Sequence, residues 1–258
     1  MGSQQTLPAL KSHPKYIFFT DFDGTITQQD SNDFLTDNLG FGAAQRKPHN
    51  ADVLSLKRHF RDSFQEMLDS VSANAGFDTC ISSLIQNITL DEGFKAFFEY
   101  AGANNIPIVI LSGGMEPIIR ALLVNFLGAE KADSMQIVSN QVGPRFEGAD
   151  INAVGGWTIV YHDDSGFGHD KSLEIRPYAN LPEGERPVLF YAGDGVSDLS
   201  AAKETDLLFA KAGKDLVSYC ETQGVPFTTF TNFYEILDEV KAIVEGKISV
   251  HDAAKGRK

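Results

Sequence analysis

The sequence predicts an α/β protein built around a parallel β-sheet. Short apolar runs that suit buried strands are separated by longer stretches with helical periodicity. Several of these runs stop abruptly at Gly, Asp or Ser. The chain has 258 residues, of which 42% are hydrophobic, and this is enough to bury a full core. We therefore expect a Rossmann-like core of three layers, with helices on both faces of the sheet.

Four apolar runs are the predicted core strands: residues 16–20, 106–111, 188–192 and 207–210. In open α/β sheets, ligands bind beyond the carboxyl ends of the strands. Asp21, Ser112 and Asp194 come at or just after the ends of the first three runs. We expect these three residues to be neighbours at one crevice.

A long segment, residues 28–89, separates the first two predicted strands and contains no comparable apolar run. It has helical patterns instead, such as the one that passes from Val53 through Phe60 to Leu68. A crossover needs only about a dozen residues, so this insertion predicts a helical cap domain that acts as a lid or determines specificity. An additional structural subdomain without function is the alternative. The predicted division is a core of residues 1–27 and 90–258 with a cap of residues 28–89.

Three further features are predicted later in the chain. Residues 116–126 have the pattern of a helix. Residues 136–142 and 157–162 resemble two strands that flank a polar, Gly-rich loop, and we expect a hairpin there. The final residues, 251–258, are expected to form a frayed, solvated tail.

The charge balance disfavours polyanionic partners. Lys and Arg total 22 against 35 Asp and Glu, which gives a net charge of -13. Such a chain is repelled by nucleic acids and by anionic membranes. A small anionic substrate is still compatible, because a metal ion and a few aimed donors can reverse the field inside one cleft.

The cysteines and the N-terminal residues carry little functional signal. Cys80 and Cys220 lie in no metal-binding or disulfide pattern and are expected to be buried free thiols. The sequence contains no apolar stretch long enough for a membrane span and no signal peptide pattern, so a cytoplasmic protein is expected. Residues 1–6 fit the loose pattern for myristoylation of Gly2, but no basic patch follows closely, and lipidation stays open.

The strongest chemical signal is a pair of carboxylates, Asp21 and Asp23, where the first strand stops. In an extended chain, residues two apart point the same way, which suits a shared metal ion and a shared reacting group. One carboxylate could attack phosphorus while the other handles the proton of the leaving oxygen. The alternative is that Asp23-Gly24 only marks a turn.

The segment Asp21-Phe22-Asp23-Gly24-Thr25 resembles the first motif, DxDGT, of the haloacid dehalogenase superfamily. Three further motifs of that family can be matched in the expected order along the chain. They are Ser112-Gly113, Lys171, and the acidic motif GDGxxD at residues 193–198. The chain is most similar to the phosphoserine phosphatase-like branch, in which a helical C1 cap lies between the first two motifs.

This resemblance implies a phosphatase that works through an aspartyl phosphate. Asp21 is then the nucleophile and Asp23 the general acid and base. Ser112, Gly113 and Lys171 are expected to hold the phosphoryl oxygens.

The resemblance also implies magnesium, Mg2+, as the cofactor. Its expected protein ligands are the carboxylates of Asp21 and Asp194 and the backbone carbonyl of Asp23. Asp198 is expected to orient ligands or to pair with Lys171 rather than to bind the metal ion directly.

The substrate is expected to be a small phosphorylated metabolite. Asp30 stands where phosphoserine phosphatases carry a glutamate that meets the substrate amino group, and its side chain is one carbon shorter. The polar start of the cap, followed by Arg46, Lys47 and His49, favours a polyol or sugar phosphate, while phosphoserine or a phosphocholine-like ester stays open. His162 and His169 flank the loop before Lys171 and could either reach the substrate or be packed or solvated.

Two other functions are compatible with the same residues. One is phosphoryl transfer to a second sugar instead of water, as in phosphomutases. The other is a non-catalytic sensor that binds a phosphorylated metabolite. The intact carboxylate at Asp23 argues against the sensor, because binding alone needs no acid or base. The sequence gives no prediction of the oligomeric state.

Overall fold

A seven-stranded sheet organises the part of the chain that this computed structural model describes, residues 7–55 and 57–254. Its strands are β1 Tyr16–Thr20, β2 Ile108–Met115, β3 Gln136–Pro144, β4 Trp157–Val160, β5 Val188–Gly193, β6 Leu207–Lys211 and β7 Thr228–Phe230. The helices are α1 Ser31–Leu39, α2 Ala43–Leu54, α3 Phe60–Ser72, α4 Phe77–Asn87, α5 Phe94–Ala103, α6 Glu116–Leu127, α7 Ala129–Asp133, α8 Lys171–Ala179, α9 Leu199–Ala202, α10 Asp215–Gln223, α11 Phe233–Val244 and α12 Val250–Ala253. Gly2, where lipidation was considered, lies outside the described residues.

The strand order is β4-β3-β2-β1-β5-β6-β7, and every neighbouring pair is parallel except β3 and β4. β1 is central, and its Phe18 pairs with Ile108 of β2 and with Phe190 of β5. The carboxyl ends of β1, β2 and β5 therefore meet at one edge of the sheet, where ligands bind in this class of fold. The prediction of an α/β protein with a parallel sheet is confirmed.

Helices cover both faces of the sheet. Successive residues of β1 point to opposite faces, so Phe18 packs in one apolar cluster and Phe19 in another. The Phe18 cluster includes buried residues of α5, α6 and α11, and the Phe19 cluster includes buried residues of α8 and α10. The expected three-layer arrangement is confirmed.

Two strand ends differ from the prediction. The run at residues 106–111 forms a strand that starts at Ile108 and continues past Ser112 to Met115. Its register with β3 shifts between Ser112 and Met115, a stretch that contains two glycines. β4 ends at Val160 rather than at residue 162, because the amide of His162 donates to the side chain of Asn140 instead of to a strand.

Residues 28–89 contain the four helices α1 to α4. The single helical pattern expected from Val53 to Leu68 is wrong in one respect, because it is divided between α2 and α3. His59 interrupts it with an extended backbone, at φ -71° and ψ 143°. The two ends of the segment lie side by side, since Thr27 and Leu90 form an antiparallel bridge. The boundaries between the predicted core and cap domains stay a prediction from the sequence.

Residues 251–254 are not frayed as expected, because residues 251–253 belong to the short helix α12. Ser249 caps the N-terminus of the short helix α12, because its Oγ accepts a hydrogen bond from the amide of Asp252. Ala253 and Ala254 pack against the main core cluster. These two small apolar side chains are partly buried, whereas His251 and Asp252 are exposed. The last four residues, 255–258, lie outside the described part.

The remaining expectations agree with the structure. The predicted helix at residues 116–126 is α6, and the predicted hairpin is the antiparallel pair β3 and β4. Cys80 and Cys220 are free and buried. Across residues 7–55 and 57–254, no helix has the length and apolar character needed to cross a bilayer.

Candidate active site

A cavity of about 250 Å³ opens at the carboxyl ends of β1, β2 and β5. The sheet side of the cavity is lined by residues of the strand ends and of the loops that follow them, and the opposite side by residues of α1, α2 and α3. The lining from the sheet side includes Asp21, Asp23, Ser112, Gly113, Gly114, Asp194, Gly195, Ser197 and Lys214, and that from residues 28–89 includes Asp30, Asn32, Asp33, Asn50, Val53, Phe60, Ser63, Phe64 and Met67. The predicted cap therefore contributes directly to the site.

Asp21 lies at the base of the cavity, directly after β1, where its amide donates to the carbonyl of Ala192 over 2.8 Å. Its Oδ1 accepts a hydrogen bond of 2.6 Å from Nζ of Lys171, the first residue of α8. Among the described residues, no hydrogen bond reaches Oδ2 of Asp21. One oxygen of this carboxylate is thus fixed and the other is available for reaction.

Asp198 is fully buried behind Asp21, and all its acceptor positions are occupied. Its Oδ1 accepts from Nζ of Lys171 at 2.6 Å and from the hydroxyl of Tyr191 at 2.5 Å. Its Oδ2 accepts from the amides of Asp194 and Gly195, both at 2.9 Å. A β-carbon on Gly193 would lie 2.5 Å from Cγ of Asp198, so this close approach depends on the glycine.

Asp23 is held by two donors from the start of α1. The amide of Ser31 donates to Oδ1 at 2.9 Å, and Nδ2 of Asn32 donates to Oδ2 at 3.0 Å. Asp23 is 6% exposed and lines the cavity beside Asp21. Its carboxyl group is therefore oriented by the segment that the sequence predicts as the cap.

Ser112 and Gly113 lie in the irregular part of β2. Oγ of Ser112 accepts from the amide of Gly114 at 3.0 Å. The carbonyl of Ser112 accepts from Nδ1 of His169 at 2.9 Å, and the carbonyl of Gly113 accepts from Nδ2 of Asn140 at 2.7 Å. These two side chains fix the backbone of the predicted phosphate-binding motif from behind.

Asp194 follows β5 and faces Asp21 across the cavity floor. One oxygen from each of Asp21, Asp194 and Asp198 lies within 4.8 Å of the other two. Lys214 is 3.5 Å from Oδ2 of Asp194. Gly24 has a φ of 74°, and a β-carbon there would lie 2.4 Å from Oδ2 of Asp194, so both the backbone and the space require glycine.

The electrostatics of the cavity favour protonation of its carboxyl groups. Burial, partly offset by Lys171, raises the pKa of Asp21 to about 8. Burial, together with Asp30, raises the pKa of Asp23 to about 7. Burial and the neighbouring Asp21 raise the pKa of Asp194 well above its ordinary value. Burial lowers the pKa of Lys171, but Asp198 and Asp21 outweigh that effect and raise it above its ordinary value.

Asp30 has two roles that the structure displays together. It lines the cavity, and its Oδ1 caps α1 by accepting from the amides of Asn32 at 2.8 Å and Asp33 at 2.9 Å. The helix-cap function is thus present at a residue that also faces the crevice.

The expectation that Arg46, Lys47 and His49 provide polar groups for a substrate is wrong, because none of the three lines the cavity. Arg46 pairs with Asp33 at 2.5 Å and with Asp37 at 2.7 Å, and it holds α2 against α1. Among the described residues, the basic side chain that lines the cavity is instead that of Lys214, which directly precedes α10.

Asn32 and Asp33 belong to the polar start of the cap that was expected to suit the substrate, whereas Ser63 and Lys214 line the cavity without having been predicted. Oδ1 of Asn32 and Oγ of Ser63 are buried and have no hydrogen-bond partner among the described residues. Burial and then Asp30 raise the pKa of Asp33 to about 8, against the lowering effect of Arg46. The polar start of α1 was a signal for Asn32 and Asp33, but no local pattern singles out Ser63 or Lys214.

The structure brings all eight predicted site residues together. Asp21, Asp23, Asp30, Ser112, Gly113 and Asp194 line the cavity, and Lys171 and Asp198 are buried directly behind it. His162 and His169 lie outside the lining and behind Ser112. The chemical roles of the eight residues stay predictions at this point.

Residues 18–203 match the family described as haloacid dehalogenase-like hydrolase. The chain is 52% identical over 225 residues to Pdp3-interacting factor 1 of Schizosaccharomyces pombe, covering 87% of this chain and 94% of that protein. It is 49% identical over 242 residues to the polyol phosphate phosphatase PYP1 of Saccharomyces cerevisiae, covering 92% of this chain and 97% of that protein.

The fold is similar to that of a solved phosphoserine phosphatase, a phospho-aspartyl intermediate analogue, with a TM-score of 0.63. The two share 16% identity over 87% of this chain and 98% of the other. This likeness concerns the fold. The family match, in contrast, spans most of the sequence and contains the four motifs whose side chains converge on the cavity. The chain belongs to the haloacid dehalogenase-like hydrolase family.

Proposed function

We propose that the chain is a magnesium-dependent phosphomonoesterase that hydrolyses phosphate esters of small polyhydroxylated compounds, in the first place polyol phosphates. The observation that carries this proposal is the cavity itself. Among the described residues, Oδ2 of Asp21 accepts no hydrogen bond and lies in the same cavity as Asp23, whose lining also includes buried polar atoms that lack partners.

Asp21 is the nucleophile in this proposal. Oδ2 attacks phosphorus, the bond from phosphorus to the ester oxygen breaks, and an aspartyl phosphate results. The ammonium group of Lys171 holds Oδ1 and counters the charge that collects on the phosphoryl oxygens. The hydroxyl of Ser112 and the backbone at Gly113 offer further donors at the same place.

Asp23 is the acid and base. Its raised pKa, about 7, keeps a proton available for the departing alkoxide near neutral pH. Once deprotonated, it can remove a proton from the water that attacks the aspartyl phosphate. Ser31 and Asn32 hold both oxygens of Asp23 in position for these two proton transfers.

The donor set fits a hard divalent cation. Oxygen ligands suit Mg2+, and the crowded carboxylates are protonated in its absence because burial disfavours their charge. Asp21, Asp194 and the backbone carbonyl of Asp23 would hold the ion, whereas Asp198, whose oxygens already accept four hydrogen bonds, acts by positioning Lys171 and the loop of Asp194. When bound, such an ion neutralises negative charge where the phosphate dianion must approach.

The substrate class follows from the upper part of the cavity. Oδ1 of Asn32 and Oγ of Ser63 lack partners among the described residues, and Asp30 and Asp33 line the same cavity, so hydroxyl groups of a ligand would satisfy buried acceptors. The volume of about 250 Å³ suits a small ester. The name of the 49% identical yeast relative, a polyol phosphate phosphatase, supports the same class.

A panel of phosphate esters tests the proposal, with released phosphate measured with and without Mg2+. The panel includes polyol phosphates, sugar phosphates, phosphoserine, phosphocholine and phosphoethanolamine. We expect polyol phosphates to have the highest kcat/KM and turnover to require the cation. Much faster turnover of phosphoserine than of every polyol or sugar phosphate would disprove the substrate class. Transfer of phosphate to an added sugar, with little released to water, would disprove hydrolysis.

The contact with Ser63 can be tested separately. Ser63→Ala should raise KM for polyol phosphates by up to about tenfold, the equivalent of one hydrogen bond, and should leave KM for phenyl phosphate unchanged. Ser200→Ala is the matched control, because Oγ of Ser200 is also buried without a partner but lies outside the cavity lining. Equal effects of the two variants would remove Ser63 from substrate recognition.

A further inference from the structure

A second group of metal-binding side chains lies behind the phosphate-binding motif. His162 follows β4, His169 precedes α8 by two residues, and Glu174 lies in the first turn of α8. One ligand atom from each of the three lies within 4.8 Å of the other two. None of the three lines the cavity described above.

The geometry of the group is close to that of a coordination site. Nε2 of His162 is 3.0 Å from Oε1 of Glu174, and the two imidazole rings are 4.6 Å apart at 62°. Ligands at about 2.0–2.1 Å from a tetrahedral ion lie about 3.3 Å from one another. Atoms that lie within 4.8 Å of one another would need to move together by at most about 1.5 Å to share one ion.

His169 supplies an independent indication of a missing ligand. It is 1% exposed, and because a carbonyl can only accept, its Nδ1 must carry the proton that is donated to Ser112. Nε2 then holds a lone pair, and it is buried without a partner among the described residues. Metal-bound imidazoles are commonly oriented in this way, with the other ring nitrogen donating to a backbone carbonyl.

We propose that His162, His169 and Glu174 form a second metal site, which binds a zinc-class divalent cation and is separate from the acidic magnesium site. Two imidazoles and one carboxylate favour zinc over the hard cation Mg2+, which prefers oxygen ligands. The side chains of His162 and Glu174 are 35% and 33% exposed, so the fourth position is open to water. An ion pair between those two residues explains their contact but leaves Nε2 of His169 without a partner in the described part of the chain.

The ion would join the two ends of the loop of residues 161–170, through His162 and His169, to Glu174 in the first turn of α8. That helix begins with Lys171, which holds Asp21 and Asp198. The site therefore stabilises the segment that delivers the lysine, and its role is structural.

Zinc retention by the full-length protein tests the proposal. The protein is treated with a chelator, desalted into a buffer with millimolar MgCl2, given one equivalent of ZnSO4, and desalted again before zinc is measured by mass spectrometry. We expect the wild type to retain one zinc ion per chain. His162→Ala and Glu174→Gln should weaken zinc binding at least about tenfold in competition with a chromophoric chelator.

Two control variants identify the site. His251→Ala removes an exposed histidine of α12, and Asp194→Asn alters the acidic site; both should retain zinc like the wild type. Circular dichroism of each metal-free variant checks that the fold persists. No zinc on the wild type, or retention that is lost in Asp194→Asn and kept in His162→Ala, would overturn the proposal.

Discussion

Lys171 lies between two carboxylates, with Nζ 2.6 Å from both Asp21 and Asp198, and its side chain is fully buried. A buried charge is tolerated only when it is paired, so this arrangement fixes the positions of all three groups. It also separates their tasks. Asp198 accepts four hydrogen bonds, whereas Oδ2 of Asp21, the proposed nucleophile, accepts none from the described residues.

At this scale, we expect Asp21→Asn to abolish hydrolysis, with a loss of kcat of more than about 1,000-fold. An amide keeps the shape of the side chain but is a poor nucleophile, and Asp198 continues to pair with Lys171, so the fold should persist. Phosphate release measures the loss, and circular dichroism checks the fold.

Asp78→Asn is the matched control for this substitution, because it makes the same chemical change at an exposed position of α4. It should keep wild-type activity. Residual turnover of Asp21→Asn within tenfold of the wild type would contradict a covalent route through that residue.

Three site residues could be predicted from the ends of strands, whereas Lys171, at the start of α8, was predicted only from the resemblance to a known family. Asp21, Ser112 and Asp194 come at or just after apolar runs, and parallel strands bring such residues to one edge. Ser63 and Lys214 could not be predicted in this way. Their position in the cavity depends on how α3 and the segment before α10 pack in three dimensions, and no local pattern records that packing.

At the scale of secondary structure elements, the β3-β4 hairpin supports α3 and the start of α4. Oγ of Ser72 donates to the carbonyl of Trp157 at 2.6 Å, and Nε1 of Trp157 donates to the carbonyl of Ala75 at 2.9 Å. The indole ring meets Phe77 edge to face at 5.4 Å. Since α3 supplies Ser63 and two phenylalanines to the cavity, the hairpin indirectly positions that wall.

Trp157→Ala should therefore lower the free energy of unfolding by about 3–5 kcal/mol, because it removes a large, fully buried side chain and its hydrogen bond. Urea denaturation followed by circular dichroism is the suitable measurement, since this is the only tryptophan in the sequence and fluorescence is lost with it.

Phe146→Ala is the matched control within the same hairpin. Phe146 is 64% exposed, so its loss should change the free energy of unfolding far less than the loss of Trp157 does. If both variants were destabilised equally, the indole would not be the link between hairpin and α3.

The helices and strands could be predicted where apolar residues recur at a regular spacing. Their ends were predicted less well where a side-chain hydrogen bond determines the last residue. β1 has the predicted limits because its apolar run is flanked by polar residues. The end of β4 was missed because Asn140, distant in sequence, takes the amide of His162. The break between α2 and α3 was missed because apolar residues continue across it.

At the scale of the whole molecule, the acidic sequence concentrates part of its charge in one cavity. The pKa is raised to about 8 in Asp21 and Asp33 and to about 7 in Asp23, above the value of 3.8 for an unperturbed carboxyl group. Between pH 3.8 and these raised pKa values, the folded chain binds more protons than the unfolded chain. The part of the free energy of unfolding that these groups contribute is therefore lost as the pH rises through the folded pKa values.

We accordingly expect Tm in the absence of divalent cations to fall from about pH 6.5 to about pH 8.5. The lowered pKa of His169, about 4 against 6.5, acts in the opposite sense but only below that range. Mg2+ should reduce the fall, because it binds the ionised carboxylates.

Thermal denaturation followed by circular dichroism over this pH range is the measurement. Asp33→Asn should make the dependence shallower, since it removes one of the groups that titrate. A Tm that stays constant or rises over the same range would show that these carboxyl groups do not govern stability.

The bridge between Thr27 and Leu90 brings the entry and exit of the intervening helices together at one neck. Because both ends of the helical segment lie at this neck, the segment between them can be replaced by another one without disturbing the sheet. The exchange has a limit here, because the donors to Asp23 come from Ser31 and Asn32, just beyond the neck. Residues 33–88 could therefore be replaced without loss of the two hydrogen bonds that orient Asp23, the proposed acid and base.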